Sequence, residues 1–208
     1  MAGLRSLACG LALACAAPHA LAQTGYTPPP PGTVLSYSVI DYEAGLDAYA
    51  FDTLVVASGP DFIITRTIDA EVDDPGYMVE FAGFLLLGCK YDVLPAEADR
   101  KRLLAMWPLG KGVAGTGHID GVGTVTLEKP ARAAIPGGKT VDGYTVSVQY
   151  DAIDEDYKEQ LLIAPELGTP ISVKGPSSLS VLKKITPPSG KAPQRPPLSQ
   201  LGDCARLF

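Results

Sequence analysis

The chain has 208 residues, with 17 Lys and Arg against 23 Asp and Glu, so its formal net charge is −6. An acidic protein lacks the positive field that a phosphate backbone requires, which argues against nucleic-acid binding. Hydrophobic residues make up 46% and charged residues 19% of the chain, a composition too apolar for a disordered protein. We therefore expect a folded protein with a core and without a nucleic-acid partner.

The first segment has the pattern of a secretory signal peptide, which we place at residues 1–22. Arg5 precedes an apolar run over 7–17, and small residues stand at the last and third-last positions before the predicted cleavage between Ala22 and Gln23. The apolar run is shorter than the ~20 residues that span a bilayer. We expect a periplasmic or secreted protein without a transmembrane segment in its mature chain.

A lipoprotein signal is the alternative at this end of the chain. It would anchor the protein through a lipid on Cys15, but Ala12 occupies the position where such signals prefer Leu. The pattern therefore favours soluble export, and the lipoprotein remains the second prediction.

Export leaves two cysteines, Cys89 and Cys204, in a compartment that oxidises thiols. Their even number predicts a disulfide between them. Such a bridge closes a long loop, for which chain entropy gives about 4.7 kcal/mol as an upper figure. The alternative is a buried free thiol at Cys89 and an unattached Cys204.

Residues 33–186 are predicted to form one antiparallel β domain. The preceding residues 23–32 contain four consecutive prolines and are predicted to be an extended N-terminus that adds nothing to the core. Inside the domain, apolar and polar residues alternate as in half-buried strands, and Gly, Pro and Asp mark the junctions. The predicted strands cover 33–40, 49–58, 62–70, 77–87, 112–119, 123–129, 141–152, 157–164, 169–174 and 179–185.

One short helix is predicted at about 96–106. Pro95 opens it, and acidic residues precede basic ones in the order that complements a helix dipole. Trp107, the sole tryptophan, follows the helix and is expected to seal one end of the core. The mainly β class leaves two architectures open, a β-sandwich and a curved half-barrel.

The last segment, 187–208, is rich in proline and is predicted to be an extended tail. The predicted disulfide would tie this tail back to the β domain through Cys204. Simple disorder of the segment is the alternative.

Three segments carry a resemblance: 107–112 (WPLGKG), 141–146 (VDGYTV) and 164–168 (APELG). Together they resemble a pattern of exported bacterial β-sheet proteins, which combines a W-P-L-x-x-G element, a Gly-Tyr strand and a P-E-L-G turn. Most of those proteins are uncharacterised envelope proteins. The resemblance covers about 100–186 and implies an exported antiparallel sheet, without any catalytic residue. Gly168 is expected to adopt a positive φ in its turn.

Two glycine-rich matches to cofactor motifs are rejected on their context. Residues 133–140 (AAIPGGKT) fit a permissive phosphate-loop pattern, and 110–115 (GKGVAG) fit G-x-G-x-x-G. Both mechanisms need a strand before the loop and a helix after it, whereas strand patterns follow here. We expect a hairpin turn at 136–138, no nucleotide and no cofactor.

Two acidic turns, at 69–74 and 151–156, leave calcium binding open. Glu80 stands eleven residues after Asp69, which imitates the spacing of a calcium loop. Asp74 occupies the position where such a loop needs glycine, so acidic hairpin ends are the preferred interpretation.

Catalytic residue types are scarce. His118 is the only histidine after the signal peptide, which excludes a histidine cluster for zinc, and no G-x-S-x-G elbow exists. We therefore predict no enzyme and no catalytic, cofactor or metal residues. The alternative is a small periplasmic hydrolase that uses carboxylates near His118, such as Asp120.

The preferred function is an exported envelope protein that binds a ligand or a protein partner through its β-sheet. A curved sheet offers room for an apolar ligand, as the lipoprotein-carrier half-barrel does, and Phe51, Phe62, Phe81 and Phe84 would then line the cavity. The same residues are otherwise plain core. A structural or assembly subunit of the envelope is a further alternative.

Overall fold

The computed structural model describes residues 25–42, 46–68, 76–111, 115–151, 157–190 and 193–208. These residues form eleven strands, one α-helix and two short 3₁₀ helices. The first strands are β1 (Val34–Asp41), β2 (Leu46–Ser58), β3 (Phe62–Ile68), β4 (Tyr77–Phe81) and β5 (Leu85–Gly88), followed by helix α1 (Glu97–Leu104). The remaining strands are β6 (Thr116–Ile119), β7 (Gly123–Ala134), β8 (Thr140–Tyr150), β9 (Lys158–Ile163), β10 (Pro170–Lys174) and β11 (Ser178–Thr186).

All eleven strands lie in one antiparallel sheet, in the order β5-β4-β3-β2-β1-β11-β10-β9-β8-β7-β6. Strands β1 and β11 pair in its middle, so the sheet consists of two meanders joined at that pairing. Strands β5 and β6 are its two ends and do not pair with each other, which leaves the sheet open. The mainly β class and the curved half-barrel are thus confirmed, and the sandwich is not found among the described residues.

Register shifts interrupt several of the strand pairings. They lie at Ser36/Tyr37 and Val39/Ile40 in β1, at Val55/Ala57 in β2 and at Leu127/Lys129 in β7. An extra residue in one strand bends it and increases its twist. These irregularities are the devices by which a long sheet curls instead of extending flat.

Side chains of the first meander alternate between two environments, as the period of a strand requires. Phe62 and Ile64 of β3 belong to the main core cluster, together with Leu201 and Cys204 of the C-terminal segment. Ile63 of β3 belongs to a second cluster on the other face. The C-terminal segment therefore covers one face of these strands, and the other face lines the interior of the half-barrel.

The single strand predicted over 77–87 is wrong. The chain reverses between β4 and β5, where Ala82 has φ 50° and Gly83 has φ 74°. Glycine adopts this left-handed conformation without steric cost, and Gly83 also lies close to the backbone of Gly168. The apolar composition of the segment concealed the turn, because both strands and the turn are buried.

The N-terminal proline-rich segment contributes to the core, contrary to the prediction for 23–32. Tyr26 is 6% exposed and packs on Trp107 with ring centroids 5.4 Å apart. The indole Nε1 of Trp107 donates a hydrogen bond to the Ala82 carbonyl oxygen at 3.0 Å, in a buried position. Trp107 therefore fixes the β4–β5 turn and is a buried member of the main core.

The helix predicted at about 96–106 is present as Glu97–Leu104. It packs against β6, where Gly117 lies near the side chains of Leu103 and Met106. Leu103 of the helix and Met106 just after it are completely buried, so this contact fixes the helix against β6, at one end of the sheet.

The predicted pairing of Cys89 with Cys204 is present, with Cα atoms 5.1 Å apart. Asp203 donates its backbone N–H to the Cys89 carbonyl oxygen at 2.8 Å beside the bridge. The tail differs from the extended prediction, because its last part forms 3₁₀ helices at Leu198–Gln200 and Gly202–Leu207. The bridge and the burial of Leu201 supply the packing that orders this segment.

Candidate functional site

A cavity of about 690 Å³ lies in the half-barrel and is lined by strands from both meanders. This volume falls within the range of about 300–1,000 Å³ that is typical of small-molecule sites. On β3, the alternating residues Ile63, Thr65 and Thr67 line it, whereas Phe62 and Ile64 do not. The cavity thus lies on the Ile63 face of β3, and members of the main core cluster such as Phe84 and Leu161 form part of its wall.

The cavity has a buried part and an exposed rim. Leu35, Ile63 and Phe84 line the buried part, and each is at most 2% exposed. Leu86, Tyr91 and Val93 also line the cavity, but their exposed fractions are 46%, 82% and 70%. A molecule can therefore enter past an apolar rim and reach side chains that are shielded from water.

Glu80 is the buried acidic residue in this lining. It lies in β4 opposite Ile63 of β3 and Leu86 of β5, which places all three on the cavity face. The residue is 8% exposed, and the Thr169 hydroxyl donates to its Oε2 at 3.2 Å. Its other oxygen, Oε1, is buried and has no hydrogen-bond partner among the described residues.

Burial raises the pKa of Glu80 to about 8, and the hydrogen bond from Thr169 opposes this shift only partly. Removal of a carboxyl group from water disfavours its charged form, so Glu80 is mostly neutral at pH 7. The neutral carboxyl is a hydrogen-bond donor as well as an acceptor. The cavity thus presents a protonated acid in apolar surroundings.

Two tyrosines surround the same carboxyl. Burial raises the pKa of Tyr37 and of Tyr26, and the nearby Glu80 raises both further. Tyr37 lines the cavity, whereas the Tyr26 hydroxyl is buried without a hydrogen-bond partner among the described residues. These hydroxyls stay protonated and add no charge to the site.

A second carboxyl, Glu159 of β9, lines the cavity on the other meander. The Tyr150 hydroxyl donates to its Oε2 at 3.2 Å. Burial raises the pKa of Glu159, while hydrogen bonds from Tyr150 and Tyr157 lower it. Glu159 therefore differs from Glu80, because two tyrosine hydroxyls donate to its carboxyl, whereas Glu80 receives one hydrogen bond, from Thr169.

The four phenylalanines predicted to line a cavity divide into two pairs. Phe51 and Phe84 do line it. Phe62 and Phe81 lie on the alternate positions of their strands and pack edge to face in the main core, with centroids 6.4 Å apart. The prediction is thus correct for Phe51 and Phe84. Phe62 and Phe81 face away from the cavity because successive side chains of a strand point to opposite faces.

The structure brings the three segments of the resemblance together. A side chain at Gly110 would clash with the Tyr144 ring, and one at Gly143 would lie 2.7 Å from the Ile163 carbonyl oxygen. Gly168 has φ 62°, as expected, and a side chain there would clash with the Thr27 carbonyl oxygen. These glycines serve close packing, and the residue after Gly168, Thr169, contacts the cavity residue Glu80.

Neither glycine-rich motif has a helix behind it. The loop after Ala134 is a tight hairpin turn, in which Gly137 and Gly138 have φ 93° and 82° and strand β8 follows from Thr140. Residues 112–114 of the other motif lie outside the described residues, and β6 follows from Thr116. The hairpin prediction is confirmed for the first motif.

The acidic turn at 69–74 lies outside the described residues, as does 152–156 of the second turn. Glu80, the residue with calcium-loop spacing, is inside β4 and faces the cavity. In the described parts of the chain, no group of three or more His, Cys, Asp and Glu residues is placed to hold a metal ion.

His118 lies on the edge strand β6, away from the cavity lining. Its Nε2 is 3.5 Å from Asp120 Oδ1, and its Nδ1 is 2.9 Å from Thr124 Oγ1. The side chains of His118 and Asp120 are 56% and 88% exposed. Both side chains of this pair are therefore open to water, and neither lines the cavity of the half-barrel.

Sequence reasoning noticed Glu80 only for its calcium-loop spacing and did not consider Thr169. A signal for Glu80 was available, because an acidic residue interrupts the otherwise apolar segment 77–87. An ionisable residue on the buried face of a strand needs a partner or a function. Thr169 carried no such signal, since its meeting with Glu80 joins positions 89 residues apart.

No helix among the described residues is both long and apolar enough to cross a membrane. Searches of protein-family models and of curated proteins gave no match. Among solved structures, the chain is similar to the crystal structure of the hypothetical lipoprotein YmcC from Escherichia coli (K12). The two share 10% sequence identity with a TM-score of 0.44, over 78% of this chain and 90% of that chain.

Proposed function

We propose that this chain is an exported envelope protein that binds an apolar or amphipathic small molecule in the cavity of its half-barrel. The observation that carries the proposal is the cavity of about 690 Å³, whose buried part is lined by Leu35, Ile63 and Phe84. The export pattern of residues 1–22 supports the location, with a lipid anchor at Cys15 as the alternative.

The rim supports the same function. Neighbouring exposed apolar side chains at the mouth of a groove are typical of a ligand-binding site, and Tyr91 and Val93 line the cavity with most of their surface in water. A bound molecule that extends from the buried part to the rim would cover them. Binding would then be driven by removal of apolar surface from water, at about 25 cal/mol per Å².

A fluorescence titration with N-phenyl-1-naphthylamine, a neutral apolar probe, tests this proposal. The matched variants are Ser180→Trp, which projects a large side chain into the cavity from β11, and Ser36→Trp on β1, which does not line it. We expect saturable binding by the unmodified protein and by Ser36→Trp. In Ser180→Trp the affinity should fall by about tenfold or more, because the added side chain occupies the site.

Two results would contradict the proposal. One is the absence of saturable probe binding to the unmodified, folded protein. The other is equal affinity of the Ser180→Trp and Ser36→Trp variants, which would place the probe outside the cavity. Circular dichroism of each variant establishes that the sheet is intact.

A further inference from the structure

The Glu80 carboxyl is only half satisfied by the chain. Thr169 donates to Oε2 at 3.2 Å, but Oε1 is buried without a partner among the described residues. A buried polar atom that lacks a hydrogen bond costs about 1–3 kcal/mol, and native proteins rarely leave one so. Glu80 lines the cavity, although Oε1 itself is closed off from solvent, so a rotation of the carboxyl group would bring the unpaired oxygen to a group of the bound molecule.

The proton of the neutral carboxyl belongs on the oxygen that lacks a partner. Thr169 also forms a hydrogen bond with Tyr37. With Tyr37 as its donor, the Thr169 hydroxyl donates to Oε2, so that Oε2 acts as the acceptor and Oε1 carries the acid hydrogen. The flanking residues in register, Ile63 and Leu86, are apolar and offer it no acceptor. The unpaired oxygen of the neutral carboxyl is therefore a hydrogen-bond donor in a residue that lines the cavity.

The charges near Glu80 do not favour its ionised form. Tyr37 and Tyr26 are the titratable groups that act together with it. Asp61, which also acts on Tyr26, is paired with Arg100 at 3.4 Å. None of the ion pairs formed by the described residues includes Glu80 itself.

Two more carboxyls line the cavity, and both have partners. Glu159 accepts from Tyr150 at 3.2 Å, and Asp92 accepts from the Gly88 backbone N–H at 2.6 Å. A bound molecule with a cationic group would find these carboxylates already engaged. Glu80 differs from both, because its oxygen without a partner carries a hydrogen that can be donated.

We propose that Glu80 donates a hydrogen bond from Oε1 to the carbonyl oxygen of a neutral, ester- or amide-linked acyl chain. The inference rests on the proposed function and names the class of molecule that the cavity selects. The hydrocarbon part lies against Leu35, Ile63 and Phe84, and the carbonyl lies beside Glu80. Such a molecule satisfies the buried donor, which a pure hydrocarbon leaves unpaired.

Competition against bound N-phenyl-1-naphthylamine tests the inference with two molecules of equal heavy-atom number, methyl tetradecanoate and heptadecane. The measured quantity is the ratio of their displacement constants. Since the solubility of each molecule is the same in every experiment, changes of this ratio between variants report the protein alone. For the unmodified protein at about pH 6, we expect the ratio to favour the ester by about three- to tenfold more than for Glu80→Leu.

Glu80→Gln separates the hydrogen bond from the titration. Its amide oxygen can accept from Thr169 while its NH₂ group donates to the ester, and it does not ionise. We expect the ester preference to be kept in Glu80→Gln at about pH 6 and at about pH 9. In the unmodified protein the preference should be lost at about pH 9, because ionised Glu80 has no proton to donate.

Two control variants make the assignment specific. Glu159→Gln changes a half-buried carboxyl of the cavity lining, and Glu97→Gln changes an exposed one on α1, whose side chain is 71% exposed. Loss of the preference at high pH should persist in both, since neither removes the titration of Glu80. If the pH response disappears in Glu159→Gln, Glu159 and not Glu80 is the group that titrates, and the inference is overturned.

The outcomes separate this inference from the proposed function. If the probe binds in the cavity but the ester preference is the same in Glu80→Leu as in the unmodified protein, the inference fails and the binding function stands. Stronger displacement by hexadecylamine than by the ester, increasing with pH, would show that Glu80 binds a cation instead. Failure of the probe to bind at all would overturn both.

Discussion

At the scale of single residues, the notable feature of the cavity is a buried carboxyl group with only one of its two oxygens hydrogen-bonded by the protein. Glu80 is 8% exposed and its Oε1 lacks a partner, while Thr169 reaches its Oε2 from the turn between β9 and β10. A site that is optimised for stability would place an apolar residue here. We therefore expect Glu80 to reduce the stability of the empty protein.

The stability that Glu80 costs the empty protein should depend on pH, and the Glu80→Gln variant, which does not ionise, tests this. The pKa of Glu80 is about 8 in the folded protein against an ordinary 4.5. Unfolding at intermediate pH thus releases a proton, and stability falls as the pH rises from about 4.5 to about 8. The stability gained by Glu80→Gln should therefore grow over that range, by a few kcal/mol, since each pKa unit corresponds to about 1.4 kcal/mol.

Urea unfolding at several pH values measures this difference. Glu97→Gln is the control, because its exposed carboxyl lacks the burial that raises the pKa of Glu80. A stability difference between Glu80→Gln and the unmodified protein that stays constant from about pH 5 to about pH 8 would contradict the raised pKa.

At the scale of elements, the disulfide fixes a segment that has little regular structure of its own. Residues 198–207 form only two 3₁₀ helices, yet Leu201 and Cys204 are completely buried in the main core. The segment covers the face of β3 and β4 opposite to the cavity. The disulfide to Cys89 therefore holds the C-terminal segment against the strands that form this wall of the cavity.

Reduction of the Cys89–Cys204 bridge should lower the free energy of unfolding by about 2–4 kcal/mol, with about 4.7 kcal/mol as the upper figure for a loop of this length. The physical reason is the greater freedom of the unfolded chain without the bridge. Urea unfolding with and without reductant measures the difference. The Cys204→Ala variant is the control, because it should not respond to reductant.

The bridge itself has a direct test in the same experiment. Alkylation of the denatured, unreduced protein should label neither Cys89 nor Cys204. Labelling of both thiols, or equal stability with and without reductant, would contradict the role that we assign to the bridge.

At the scale of the whole molecule, the sequence predicted what local pattern determines. Strand alternation, the helix charges and the even cysteine count led to the β class, to α1 and to the Cys89–Cys204 pair. It did not predict the turn at Ala82 and Gly83, because a buried turn lacks the polar residues that mark exposed ones. The order of the C-terminal segment depends on packing against distant strands, which no local pattern records.

The candidate site was predictable only in outline. A curved sheet with aromatic residues inside follows from alternation, and Phe51 and Phe84 were named correctly. Whether Phe62 faces the cavity or the core depends on the register between strands and on which face the C-terminal segment covers. The meeting of Glu80 with Thr169 arises from the whole path of the sheet and had no signal in the sequence.

The measurement that tests the central claim most directly is methyl NMR of the protein during titration with methyl tetradecanoate. Ile63 and Ile64 are adjacent in β3 and equally buried, but only Ile63 lines the cavity. We predict shift changes and intermolecular contacts at the Ile63 and Met78 methyl groups, with little change at Ile64. Changes confined to exposed residues, or equal changes at Ile63 and Ile64, would contradict binding inside the half-barrel.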